Sequence, residues 1–158
     1  MIPLYTIGYE GSSIHQFVDA LLDHGIEHVL DVRRLPLSRK PGFAKKALIA
    51  HCEAANIAYT HLVDLGTPTD LRKRLKEEGD YPVFFECYRT YLAAQDDVLQ
   101  VAETFALARP SVLVCFERDH HTCHRLEVGN KLLQRNPSLQ IVHLQVGQPL
   151  LQEATYRG

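Results

Sequence analysis

The sequence predicts an α/β domain, a mostly parallel central sheet with helices on both faces. Three observations predict it. Short apolar runs of strand length alternate with longer segments whose apolar residues recur every three or four positions. The strongest strand signal, Ser111-Val112-Leu113-Val114-Cys115-Phe116, is apolar at nearly every position, as a strand covered on both faces must be. The chain has 158 residues, 46% hydrophobic and 23% charged, which is the size and balance of one globular domain. No linker, repeat or low-complexity stretch divides residues 1–158; the core spans about 4–144 and a tail about 145–158.

The elements follow in order. Residues 4–7 form a strand and Gly8-Tyr9-Glu10-Gly11 a turn. Ser13 and Gln16 stand at capping-box spacing before a helix carrying Ile14, Phe17, Val18, Leu21 and Leu22, and Gly25 ends it. A strand covers about 28–33, and Pro36, Pro41 and Gly42 make 34–43 a loop. A helix over about 44–55 and a strand over about 57–62 come next. Helices cover about 68–78 (Pro68 in the first turn), 83–95 and 96–108, the last broken by Pro110. After the 111–116 strand, Thr122 is the N-cap candidate of a helix over 123–135, and Leu139–Leu144 is the last strand.

Several function classes are excluded. No apolar run approaches the ~20 residues of a membrane helix. Met1-Ile2-Pro3-Leu4-Tyr5 has neither the basic region nor the apolar segment of a secretory signal. Cys52, Cys87, Cys115 and Cys123 lie far apart, which predicts reduced thiols and a cytoplasmic location. A formal net charge of −2 excludes a wholesale polyanion binder, so any nucleic-acid role rests on a local patch. Phosphate loops of the Gly-Lys-Ser/Thr type, the dinucleotide fingerprint, a Cys-to-Arg phosphatase spacing and a Gly-x-Ser-x-Gly elbow are all absent from the sequence.

Open parallel sheets bind ligands beyond the carboxyl ends of their strands. Those ends deliver Tyr9 and Glu10; Asp31 and Arg33; His61; and Glu117 with His120, His121, Cys123, His124 and Arg125. Residues 33–46 add Arg33, Arg34, Arg39, Lys40, Lys45 and Lys46 with no acidic residue between them, which reads as a phosphate-binding loop or as a solvated basic face. Ser38 offers a hydroxyl there, and Phe43 a ring to stack on a base. Asp31 lies inside an apolar strand on the same face as Arg33, as a general base, a positioner of Arg33 or one half of a structural ion pair.

Cys123, placed in a first helical turn beside Arg125, is a candidate nucleophile; the same helix start is a candidate anion site. The donors Cys115, His120, His121, Cys123 and His124 are dense, but their spacing matches no paired zinc pattern, and no metal ligands are assigned. Cys52 and Cys87 read as inert core thiols.

Thr6-Ile7-Gly8-Tyr9-Glu10-Gly11, Asp31-Val32-Arg33, Pro36, Ser38-Arg39 and Pro41-Gly42-Phe43 together resemble the opening of the domain of unknown function 488 family. Tyr59, His61-Leu62, Leu65-Gly66, Cys115-Phe116-Glu117 and Cys123-His124-Arg125 continue the likeness, which runs from about residue 4 to about 144. Two positions depart from the family's pattern: Asp119 is followed by His120 rather than Pro, and Leu65-Gly66 by Thr67 rather than a second Gly. The resemblance implies a compact α/β domain and supplies no reaction or cofactor. It does mark the same rim as a site, and the rim's residues point to a phosphate-bearing ligand, a nucleic acid or nucleotide, held by Tyr9, Arg33, Ser38, Arg39, Phe43, His61, His124 and Arg125. Glu10, Asp31, Glu117 and Cys123 are the groups available for chemistry. The alternatives are a thiol enzyme using Cys123 and a non-catalytic module binding a metal or a protein.

Overall fold

The computed structural model describes residues 1–147, so most of the tail read as 145–158 lies outside the described residues. Five strands form one all-parallel sheet: β1 Ile2–Gly8, β2 His28–Asp31, β3 Ala58–His61, β4 Ser111–Cys115 and β5 Leu139–Gln145. Their order is β3-β2-β4-β1-β5. The helices are α1 Ile14–Asp23, α2 Lys45–Ala54, α3 Thr69–Glu78, α4 Tyr81–Ala93, α5 Asp96–Ala108 and α6 Arg125–Arg135. The α/β reading therefore holds, with helices on both faces.

Strand periodicity sorts the core. On one face, Tyr5, Ile7, Val29, Val112 and Val114 pack against Phe17 and Leu21 of α1 and Leu48 and Cys52 of α2. On the other, Leu4, Leu30, Leu113 and Cys115 pack against Tyr88, Leu92, Leu99, Ala102, Val128 and Leu132 of α4, α5 and α6. Successive residues of a strand point to opposite faces, so both faces of the central strands must be apolar. β4 is buried at all five positions. The chain steps one way along the sheet through α1 and α2, then returns the other way through α4–α6. With right-handed crossovers, that reversal puts the two helix sets on opposite faces. β1 and β2 then send their exit loops to one face while β4, lying between them, sends its loop to the other, and a crevice opens at the strand ends.

Helix ends follow their local chemistry. Ser13 Oγ accepts from Gln16 N at 3.1 Å, and Gln16 Oε1 accepts from Ser13 N at 2.9 Å, the full capping box. Gly25 takes φ +68° just after α1, which only glycine adopts cheaply. Pro68 caps α3 from outside its first turn. The region around Cys123 corrects the sequence reading. Residues His120–Thr122 form a 3-10 turn, Cys123 follows it in extended backbone (φ −119°, ψ 141°), and His124 is the N-cap of α6. Thr122 is thus no cap, and Cys123 lies outside the helical turn that would have acidified it. The reason is Asp119, which occupies the cap of the 3-10 turn by accepting from His121 N at 2.9 Å and so starts a separate turn upstream.

One histidine ties the sheet edge to pH. His143 of β5 lies with Nδ1 2.6 Å from Thr6 Oγ1 and its ring stacked on His120 at 3.7 Å. Burial, with His120 and Arg125 nearby, pushes it down to about 4. The folded pKa is below the unfolded value of about 6.5, so the unfolded chain binds the proton first as pH falls. Stability from this group is complete above about 6.5 and lost as pH falls toward about 4. Urea unfolding at pH 7 and pH 5 is expected to show a smaller loss on acidification for His143→Gln than for the parent chain. Equal losses would remove His143 from the account.

Candidate functional site

The carboxyl ends of β1, β2 and β4 are joined by two buried guanidinium groups. Asp31, fully buried at the end of β2, accepts from Arg33 Nε at 2.9 Å and Nη2 at 2.8 Å, and from the Tyr59 hydroxyl at 2.5 Å. Arg33 also donates through Nη1 to Tyr9 Oη at 3.2 Å and to the Phe43 carbonyl at 2.6 Å. Burial works against its charge, but the bonds and charge of Asp31 prevail and raise its pKa. The pair therefore fastens β1, β2, β3 and the 34–43 loop together. All three guanidinium nitrogens of Arg33 are occupied within the protein.

Arg125 does the same for the loop after β4, without a carboxylate. Its side chain is fully buried and donates through Nε to Thr6 Oγ1 at 3.2 Å, through Nη1 to the Glu117 carbonyl, and through Nη2 to the Arg118 carbonyl at 3.1 Å. Burial lowers its pKa to about 10, which leaves it a cation at neutral pH. Gly8 lets this loop close down on β1, since a Cβ there would run into the Glu117 carbonyl. Glu10, exposed, accepts from Arg118 N at 3.0 Å and holds the loop from the other side.

Beneath the loop sit Cys115, Cys123 and His124. The two sulfurs stand at bonding distance, so this pair departs from the expectation of four separate reduced thiols, while Cys52 and Cys87 are free; Cys123 Sγ is 3.8 Å from His124 Nδ1. His124 Nε2 lies 2.7 Å from the Val32 carbonyl, so that nitrogen carries the proton and Nδ1 presents a lone pair to the sulfur. Burial pushes His124 down to about 4, which keeps it neutral. Cys115 Sγ lies 3.3 Å from Glu117 Oε2 and 3.4 Å from Arg125 Nη1. Burial raises the Glu117 pKa. A second cluster of metal-ligating types, Asp119, His120 and His121, lies at the surface.

Above these groups opens a cleft of about 840 Å³. Its floor is Tyr9, Arg33, Cys115, Glu117 and His124, and one wall is the 34–39 loop. The opposite wall is the face of α3 that carries Thr69, Arg72, Lys73 and Lys76. Six cationic side chains (Arg33, Arg34, Arg39, Arg72, Lys73 and Lys76) line it against one carboxylate, Glu117. The positive charge of Arg72 disfavours the protonated forms of both Glu117 and His124. The Phe116 ring, 46% exposed, stands at the lining in a T-shaped contact with Tyr9, ring centres 5.4 Å apart.

The cleft thus gathers Tyr9, Arg33, Ser38, Arg39, Glu117 and His124 from the residues singled out in the sequence. Asp31, Phe43, Cys123 and Arg125 lie behind its surface, each at most 1% exposed. Phe43 is stacked on Tyr9 at 4.2 Å and presents no face to a base. Glu10 lies outside the lining, and His61 binds the Arg33 carbonyl at 2.7 Å. Sequence reasoning missed Phe116 and the α3 cations. A signal for the latter exists: α3 buries no residue, and positions 69, 72, 73 and 76 fall on one helical face.

Asp31→Asn is expected to cost about 3–5 kcal/mol in chemical denaturation, the usual penalty for leaving one partner of a buried pair. The double variant Asp31→Asn/Arg33→Met is expected to lose less, since no charge then stays buried alone. A single-variant loss below about 1 kcal/mol, the range of exposed pairs, would contradict this role.

No curated protein and no solved structure matches the chain. A family model, described as Domain of unknown function DUF488, matches residues 13–132, most of the chain and every element from α1 through most of α6. With that match added to the strand-end residues that resemble the same family, the chain belongs to the DUF488 family.

Proposed function

We propose that the cleft binds a phosphate-bearing ligand of nucleotide size. The observation that carries this reading is the charge of the lining: six cations to one carboxylate in a protein whose formal net charge is −2. Arg33 is neutralised by Asp31, and Arg34 is partly engaged with Tyr91 and Val63. Arg39, Arg72, Lys73 and Lys76 make no ion pair or side-chain hydrogen bond in the described residues, and they supply the free donors. The volume falls in the range of small-molecule sites, about 300–1,000 Å³, and the concave shape suits a compact ligand better than a rigid duplex. Exposed Phe116 and Leu37 offer apolar surface for a base beside the phosphate donors.

Calorimetric titration with adenosine diphosphate, inorganic phosphate, adenosine and a short single-stranded oligonucleotide tests this. The diphosphate is expected to bind, adenosine to bind far more weakly, and affinity to fall as salt rises. Arg72→Ala and Arg39→Ala are each expected to weaken the diphosphate about tenfold, the ~1.4 kcal/mol scale of one charge-assisted contact. If the oligonucleotide binds much more tightly than the diphosphate, the ligand is a nucleic-acid strand and not a nucleotide. Binding that ignores both variants and salt would overturn the assignment.

A further inference from the structure

We propose that Cys115, Cys123 and His124 form a metal site for a zinc-class divalent ion, with three protein ligands and a fourth position turned to the cleft. The three ligand atoms lie within 4.8 Å of one another. In a tetrahedral zinc site, bond lengths of about 2.3 Å to sulfur and 2.0–2.1 Å to nitrogen place neighbouring S and N atoms roughly 3.6 Å apart. The Cys123 Sγ to His124 Nδ1 distance is 3.8 Å.

The backbone favours an ion over a covalent bridge between the cysteines. Their Cα atoms stand 7.7 Å apart, beyond the span of about 4.4–6.8 Å that a disulfide covers. An ion between the sulfurs replaces a bond of about 2.05 Å with a sulfur–sulfur separation of roughly 3.8 Å, and that added reach of roughly 1.7 Å removes the conflict.

The surroundings match what such an ion needs. Metal-binding histidines commonly donate their other ring N–H to a carbonyl or carboxylate, which fixes the tautomer. His124 does this through Nε2 to the Val32 carbonyl, leaving Nδ1 as the free lone pair. Ligating cysteines must be thiolates, and Arg125 Nη1, 3.4 Å from Cys115 Sγ, supplies a positive neighbour. Thiolate and imidazole donors select zinc-class ions over magnesium or calcium. Two thiolates also cancel the charge of a divalent ion, so the site suits a buried floor. Cys115 and His124 line the cleft, and Glu117 stands beside them with Oε2 3.3 Å from Cys115 Sγ. The remaining coordination position therefore faces the ligand space, the arrangement of a three-ligand open site.

The proposal stands apart from the phosphate reading, because metal binding is measured with no phosphate-bearing ligand present. Tag-free chain, reduced and stripped with chelator, is titrated with Co²⁺ and then Zn²⁺. About one Co²⁺ per chain is expected, with thiolate-to-cobalt charge-transfer absorption and the intense visible bands of tetrahedral cobalt, all displaced by Zn²⁺. Cys123→Ser is expected to abolish the charge-transfer intensity of its sulfur and weaken binding at least tenfold. Cys52→Ser, on the opposite face of the sheet, is expected to leave both unchanged. A second readout needs no variant: Zn²⁺ is expected to shield Cys115 and Cys123, but not half-buried Cys87, from alkylation mapped by mass spectrometry. Absence of the charge-transfer band in the parent chain, or equal labelling of Cys115 and Cys123 with and without Zn²⁺, would overturn the site.

Discussion

The buried pair of Asp31 and Arg33 is the constraint on which the rest of the site depends. A carboxylate with no exposure must be fully bonded, and the protein meets this demand with four donors from two residues, the Arg33 backbone N–H among them. The guanidinium that satisfies it has further donors to place. Those reach Tyr9 after β1 and the Phe43 carbonyl at the end of the basic loop. One charge pair thereby sets the relative positions of four segments. The loop that walls the cleft is held at both ends, by Arg33 at its start and by the Phe43 carbonyl at its close.

Charge in this protein is divided between two tasks. Arg33 and Arg125 are spent inward, on a carboxylate in one case and on carbonyl oxygens in the other. Arg39, Arg72, Lys73 and Lys76 face the open cleft. The inward pair carries the burial cost and gives rigidity; the outward set stays hydrated and keeps its donors for a ligand. The two sets differ in position along the elements. Inward guanidinium groups sit at a strand exit and a helix start, where backbone groups lack partners. Outward cations sit on a loop and on a helix with no fully buried residue.

The sheet was legible in the sequence because its signal is local. Val112, Leu113 and Val114 must be apolar on both sides, and Ser13 with Gln16 carries its own cap. Strand order was not legible, since β1 lies between β4 and β5 through contacts more than a hundred residues distant. The rim residues could be located from strand ends, but not sorted into lining and buried support. Phe43 shows why. An aromatic beside arginines in a loop looks like a stacking surface, yet its ring fills the space between Tyr9 and Phe17, and the exposed rings at the cleft are those of Phe116 and Tyr81. Cys123 shows a second limit: Asp119, four residues upstream, starts a separate turn and shifts the helix start past the cysteine.

That shift explains how three consecutive residues serve three ends. Had α6 begun at Cys123, residues 123–125 would splay around one helical turn, about 100° apart. Instead Cys123 is extended and His124 is the half-turned cap, so the Cys123 side chain runs back to Cys115. His124 crosses to the Val32 carbonyl with its other nitrogen toward the sulfur. Arg125, the first helical residue, points into the core and fixes the Glu117 and Arg118 carbonyls. The sulfur-bearing floor of the cleft and the loop that borders it are therefore positioned by one irregular turn. The guanidinium that anchors that loop also lies against Cys115. Any movement of the loop after β4 must displace Arg125, and with it the charge that faces the Cys115 sulfur, so the loop and the chemistry of that sulfur are mechanically coupled.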